Sequence, residues 1–520
     1  MKRILCAAFF AALALFSCVQ IVWAQDVLLT SRDGTVEISG TLLGFDGELY
    51  RVQTDYGELT IEGAGVDCEG PGCPNLGAFV AEIDLSGAAE MGRDLLPALI
   101  EAFAFENNMK AQRTEPSPTE TTYTLLSRDT GKTQAIIYLH LSTSDEGFAD
   151  LLTDQADIVM SLREITSHER KLAREAGMGD MTSQGRARVL ALDALVAIVS
   201  NQNPVNQISL TQLAQIFSGD LDDWEELGPQ KAEITPYMRD VEVGPGRAAL
   251  QRLLRSDLAK PAPETHFATQ GIELATRVSV DPFGIGLASR ATTVDAKILT
   301  LSGSCERSLR ATRRNIKTED YPLTAPMFLY LPARRLPKIA RDFLSYTRSP
   351  AAQLVIRRAG FVDQAPEEIS LDYQGDRVAN AISVAGDELP LENLQTMLSE
   401  LRGMKRLTTS FRFEAGSIRL DAQSRSNVAQ LARALEAGRY DGRSLVFIGF
   451  SDGEGAAAAN LEISKRRAEV VKNAVVKASE SADFTQMDIG VNAYGESMPM
   501  ACDDTEWGRQ VNRRVEVWVR

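Results

Sequence analysis

Asp452, Asn460, Arg467, Asn512 and Arg513 give this chain its clearest chemistry. They sit in three runs: Gly449-Phe450-Ser451-Asp452, Asn460-Leu461-Glu462-Ile463-Ser464-Lys465-Arg466-Arg467-Ala468 and Gly508-Arg509-Gln510-Val511-Asn512-Arg513-Arg514-Val515. An aspartate and an arginine held apart by a scaffold bind a zwitterion, the ammonium at one and the carboxylate at the other. Touching each other, they would be a surface ion pair worth about 0–1 kcal/mol. Residue types alone leave both readings open. On a helix, Asn460 and Arg467 are two turns apart and share a side.

A second set of donors is spread through the middle of the chain. Ser86 and Gly87 precede a helical pattern starting at Gly92, and Ser161 follows a strand pattern. Gly244-Pro245-Gly246-Arg247 precedes another helix. Helix N-termini offer free N–H groups and partial positive charge. Arg163, Arg239 and Arg247 add forked donors suited to an oxyanion. Ser86, Ser161, Arg163, Arg239, Gly246 and Arg247 are therefore candidate donors to an anion.

The elements that must position these groups follow from periodicity. Residues 25–76 read as a small β-rich domain, with Asp33-Gly34, Asp46-Gly47 and Tyr56-Gly57 punctuating short alternating strands. Residues 77–366 alternate strand and helix patterns and predict an α/β domain with mostly parallel strands. Residues 367–404 read as a linker with a helix over Leu391–Leu401, and 405–520 as a β-α-β-α-β-β domain whose first strand begins at Phe411. The fold class is multidomain α/β and α+β.

Residues 1–24 have a basic start, an apolar core and Val22-Trp23-Ala24, as in a secretory signal. Leu15-Phe16-Ser17-Cys18 loosely matches a lipobox, so a lipoprotein reading stands beside soluble export. The net charge of −16 argues against nucleic acid or an anionic lipid surface as the main partner, but not against a local anion site. Cys68 and Cys73 flank a Gly-Pro-Gly turn and predict a small-loop disulfide in an oxidising compartment. Cys305 and Cys502 either bridge domains or stay as buried thiols. The three histidines are scattered, and neither a nucleophile elbow nor a nucleotide-type phosphate loop is present. No catalytic group, metal or cofactor is expected.

The segment from Phe411 to Arg520 resembles the OmpA-like peptidoglycan-binding domain, through Gly449, Ser451, Asp452, Asn460, Ser464, Arg467, Ala468, Gly495, Glu496, Gly508, Arg509, Asn512, Arg513, Arg514 and Val515. The resemblance implies that Asp452 and Arg467 grip the diaminopimelate of the stem peptide, with Asn460, Asn512 and Arg513 lining the site. Residues from about Phe79 to Val362 resemble periplasmic solute-binding proteins of the phosphate type. Ala156-Asp157-Ile158-Val159-Met160-Ser161-Leu162-Arg163, Ile216-Phe217-Ser218-Gly219 and Asp281-Pro282-Phe283-Gly284 carry that likeness. The solute-binding resemblance makes the six candidate donors the expected anion site. Where that family has Ser-Gly-Thr-Arg, this chain has Gly244-Pro245-Gly246-Arg247, which removes two hydroxyls and one N–H. Each lost hydrogen bond to a charged group is worth about 1.5–3 kcal/mol.

The expectation is a non-enzymatic protein in the periplasm of a Gram-negative bacterium, bound to peptidoglycan and associated with the outer membrane. It captures or senses a small, phosphate-like anionic solute. The alternative is a wall-anchored scaffold whose middle domain binds no small molecule.

Overall fold

A computed structural model of the chain describes residues 26–75, 79–183, 185–241, 245–254, 260–303, 308–383, 391–414, 416–503 and 505–520. The expected signal, Gly244 and Cys305 lie outside the described residues. The chain divides into two compact units.

The first unit comprises residues up to Ala81 together with Arg335–Asp342. Strands β1 (Val27–Ser31), β2 (Glu37–Phe45), β3 (Leu49–Thr54), β4 (Gly57–Glu62) and β5 (Val66–Glu69) form an antiparallel sheet in the order β4-β3-β2-β1-β5. Its core is small: Val27, Leu29, Tyr50 and Val52. Two reinforcements suit so thin a core. Cys68 and Cys73 form a disulfide. Arg335 and Arg341 each bind Glu48 at 2.7 Å.

The second unit holds everything else. Its large sheet draws on β6 (Ala81–Ala88), β7 (Met109–Ser117), β8 (Glu120–Ser127), β9 (Thr133–Ser142), β10 (Ile158–Ser161) and β11 (Ala187–Val199). After the short β12 (Gln207–Ser209) come β13 (Thr235–Arg239), β14 (His266–Ala268), β15 (Gly284–Ser289), the short β16 (Lys297–Ile298), β17 (Thr300–Ser302) and β18 (Ser308–Leu309), and β19 (Thr324–Tyr330). The order β14-β13-β15-β11-β19-β10-β6-β9-β8-β7 gives two lobes joined by the antiparallel pair β11 and β19. The strands are mixed rather than mostly parallel. β13 runs parallel to β14 and β15, and β10 to β6, while β7, β8 and β9 form an antiparallel meander. Short turns join the meander strands, and a short turn can only reverse the chain.

The C-terminal sheet runs β20 (Glu368–Ser370), β21 (Lys405–Phe411), β24 (Arg514–Val519), β22 (Ser444–Phe450) and β23 (Asp488–Ala493) in that order. Helices Ala422–Glu436 and Ala457–Ala478 supply Leu431, Leu435, Val471 and Val475 against Leu407, Phe447 and Val517 on one face. The other face, Ile448, Phe450 and Trp518, is covered by Leu394, Met397 and Leu401. The stretch read as a linker therefore supplies core residues, and its Glu368–Ser370 edge pairs with β21. The first C-terminal strand runs Lys405–Phe411, earlier than the expected start at Phe411. A lysine and an arginine at its start disguise it. Arg406 is nevertheless 2% exposed, because Asp320 and Glu516 neutralise it inside the protein.

A dry electrostatic seam joins this domain to the two-lobed one. Asp320 binds Arg406 at 2.9 Å and Arg412 at 3.1 Å, all three buried. Lys317, also buried, binds Asp363 at 2.9 Å and Glu367 at 2.7 Å.

Candidate functional site

The C-terminal grip starts from a backbone constraint. A Cβ on Gly449 would lie 1.9 Å from the Ser464 carbonyl oxygen, so only glycine lets β22 meet the Ala457–Ala478 helix this closely. That approach puts the loop after β22, carrying Asp452, beside the helix carrying Arg467.

Asp452 does not pair with Arg467. Its Oδ2 accepts from Arg513 Nη1 at 2.7 Å, and Arg513 Nη2 donates to Glu506 at 2.6 Å. Arg467 lies over the Phe413 ring at 5.2 Å, and its Nε is buried without a hydrogen-bond partner. Burial, then the nearby Arg513 cation, lowers its pKa, with Asp452 opposing them. The aspartate is thus braced by one arginine, while a second, desolvated arginine stays unpaired within reach of its field. An incoming carboxylate would satisfy Arg467, and an ammonium would meet Asp452.

Asn460 Nδ2 donates to Glu496 Oε2 at 2.8 Å, tying the helix to the Gly495-Glu496 turn. Asn512 does not line an open surface. It is fully buried, and its side chain is spent on Met500 N, Ala501 N, Ala501 O and Asp503 Oδ1, all within 3.1 Å. It fixes the loop that faces Gly453, whose N–H donates to Asp503 at 2.8 Å. Cys502, on the same loop, is disulfide-bonded.

Several expected anion donors of the middle domain bind within the fold. Ser86 Oγ donates to Asp150 Oδ2 at 2.5 Å. Ser161 is fully buried and donates to the Arg163 carbonyl at 2.8 Å. Arg163 is held by Asp145 and, bidentately, by Glu169 at 2.9 and 2.6 Å. Arg247 is exposed and donates to the Val241 carbonyl at 3.3 Å. Gly246 packs against β13, where a Cβ would lie 2.1 Å from the Arg239 carbonyl oxygen. Ser86, Ser161 and Arg163 are taken up by the fold, because nearby acids or carbonyls reach them first.

Arg239 does line a cavity, of about 200 Å³, between the lobes. The cavity wall carries Glu90, Asp94 and Asp193 as well as Arg93 and Arg252. Its charges therefore balance, unlike those of an anion trap. Arg239 Nη1 lies 3.3 Å from Glu90 Oε1, and both Glu90 oxygens are buried without a hydrogen bond. Burial raises the Glu90 pKa, against the pull of Arg239. Arg252, partly buried, donates to the carbonyls of Thr324 and Leu162. Glu90 and Arg252 sit inside ordinary helical patterns, so nothing in their spacing marked them.

Ser86, His140 and Asp150 form a cluster, with His140 Nδ1 3.2 Å from Ser86 Oγ and 3.1 Å from Asp150 Oδ2. Serine and aspartate meet the same ring nitrogen. The arrangement lacks the two-nitrogen bridge of a nucleophilic relay.

Residues 137–351 match the PBP superfamily domain, and residues 412–513 match the OmpA family. The phosphate-binding protein PstS of Borreliella burgdorferi is 23% identical over 230 residues, 42% of this chain and 76% of that protein. Outer membrane porin F of Pseudomonas fluorescens is 40% identical over 81 residues, 16% of this chain and 24% of the porin. The outer-membrane lipoprotein YfiB of Pseudomonas aeruginosa is 36% identical over 101 residues, 19% of this chain and 56% of the lipoprotein. Among solved structures, an ABC-type phosphate transport receptor from Vibrio cholerae aligns with a TM-score of 0.41 at 19% identity, over 54% of this chain and 99% of the receptor. The chain thus carries a phosphate-binding-protein-like domain followed by an OmpA domain.

Proposed function

We propose that this is a non-enzymatic protein of the Gram-negative cell envelope that holds peptidoglycan through Asp452 and Arg467. Its interlobe cavity captures or senses a small solute. The observation that carries the wall reading is Arg467: a buried guanidinium whose Nε has no hydrogen-bond partner among the described residues, next to an aspartate already braced by Arg513. A diaminopimelate stem peptide offers the matching carboxylate and ammonium. The OmpA match over residues 412–513 supports the same partner, and the outer-membrane names of two relatives support an envelope location.

For the cavity, the phosphate-binding relatives favour an anionic ligand, and Arg239 is the group that would receive it. Glu90 already sits on Arg239. An anion must therefore displace Glu90 or bind while Glu90 is protonated and donating. The internal use of Ser86, Ser161 and Arg163 favours a second reading, a wall-anchored scaffold without a small-molecule ligand.

Retention of the purified protein on peptidoglycan sacculi tests the first part. Asp452→Ala and Arg467→Ala each abolish retention with the far-UV circular dichroism unchanged, and wild-type retention in both variants refutes it. Native mass spectrometry of the purified protein tests the second part, a bound small molecule favouring capture and its absence the scaffold.

A further inference from the structure

The acid-balanced cavity contrasts with a second cavity, of about 50 Å³, where the C-terminal domain meets the two-lobed one. Arg188, Arg348, Arg425 and Arg433 line it, together with Ser426 and Gln430, and no carboxylate is among its described lining residues. Arg188 opens β11, Arg348 precedes the Pro350–Arg358 helix, and Arg425 and Arg433 project from the Ala422–Glu436 helix.

Three of these cations are nearly unused. Arg188 donates from Nε to the Gly185 carbonyl at 3.0 Å. Neither Arg348 nor Arg433 has a side-chain hydrogen bond or ion pair among the described contacts. Arg425 is different: it donates to the Leu420 carbonyl at 2.6 Å and has Glu414 at 3.7 Å. Guanidiniums cannot discharge by losing a proton at neutral pH. Converging like charges in a partly desolvated pocket therefore cost stability unless something negative sits between them. Partial burial, followed by the neighbouring Arg433 and Arg186 cations, pushes Arg188 down to about 10, while Arg348 is exposed. The buried seam matches Arg406 and Arg412 with Asp320. Here Arg188 and Arg348 have no carboxylate partner among the described contacts, and Arg433 has the field of Glu436 without an ion pair. The space admits one compact polar group, being comparable with the roughly 30 Å³ that one water occupies in the liquid.

We propose that this junction holds a single oxyanion group of the phosphate or sulfate class between Arg188, Arg348 and Arg433. The group is either a free anion or the exposed phosphate of a lipid headgroup. The site draws on both domains, so occupancy ties the wall-binding domain more tightly to the lobes. It does not depend on what the interlobe cavity or the wall grip binds.

The test is thermal unfolding of the full chain in low-salt, phosphate-free buffer, titrated with inorganic phosphate. The wild type gains a saturable rise in Tm. In Arg433→Gln and Arg348→Gln the phosphate affinity falls about tenfold or more, as expected for loss of a charge-assisted contact. The same substitutions raise Tm in the phosphate-free buffer, because each relieves repulsion, whereas a merely structural arginine would lower it. In parallel, sedimentation with phosphatidylglycerol–phosphatidylethanolamine vesicles reads the headgroup source. Co-sedimentation lost in the double variant assigns the anion to a lipid, and a phosphate response without co-sedimentation assigns a free anion. A wild type that responds to neither, or a double variant that responds to phosphate as the wild type does, overturns the proposal.

Discussion

The proposed wall grip and the interlobe cavity use the same residue types to opposite effect. In the grip, Arg513 takes Asp452 and leaves Arg467 unpaired. In the cavity, Glu90 takes Arg239, and Asp94 and Asp193 offset Arg93 and Arg252. A scaffold that leaves one cation short of a partner is prepared for a ligand. A scaffold that neutralises its own cations must first be undone. The difference lies in which acid reaches which arginine first.

The seam makes the two regions one body, and breaking it should have the largest effect. Asp320→Ala leaves Arg406 and Arg412 buried without their shared acid, and should cost about 3–5 kcal/mol in urea unfolding. A loss under 1 kcal/mol would mean that the two domains are independent. Next is the grip: Arg467→Ala should weaken peptidoglycan binding by about 2–5 kcal/mol, the range for removing one partner of a desolvated charge pair. If Arg467→Lys restores full binding, the forked geometry is irrelevant there.

Asn512→Ala should cost about 1–3 kcal/mol and weaken wall binding indirectly, since it leaves buried loop groups unsatisfied. The cavity should respond in the opposite sense to the grip. Glu90→Gln removes the internal anion and should strengthen anion binding about tenfold, near 1.4 kcal/mol, by calorimetry. Because burial raises the Glu90 pKa, its protonation begins at a higher pH than for an ordinary glutamate. Anion affinity should therefore rise as pH falls, and a flat profile would remove Glu90 from the site.

The seam also sets a pH limit. Asp320 is fully buried, which opposes ionisation, but Arg406 and Arg412 outweigh that and hold it at about 2 against an ordinary 3.8. Its folded pKa is depressed, so its contribution is complete above the unfolded value and is lost as pH falls from about 4 through 2. Unfolding midpoints that do not change across this window in wild type, relative to Asp320→Asn, would contradict the pairing.

Some of this was legible in the residues. Spacing put Asn460 and Arg467 on one side of a helix, and the OmpA-like resemblance added Asp452. The hairpins of the first unit announced themselves through Asp-Gly turns, and Cys68 and Cys73 through their loop. Arg406 hid a strand, because a buried charge in a strand makes sense only beside Asp320, 86 residues away in sequence. The internal use of the expected anion donors was hidden for the same reason. Ser161 and Arg163 advertise donors, yet their neighbours Asp145 and Glu169 decide whether those donors are free.

Local order therefore determined the element types, the two family-like halves and the grip's aspartate and arginine, since short-range periodicity and motif spacing carry them. Only the tertiary structure decided which charges cancel. Arg467 is without a partner among the described residues, Arg239 is not, and Arg188, Arg348 and Arg433 line one pocket with no carboxylate in its described wall. Coulomb pairing depends on distances of a few ångströms between residues far apart in the chain, and no linear spacing encodes those.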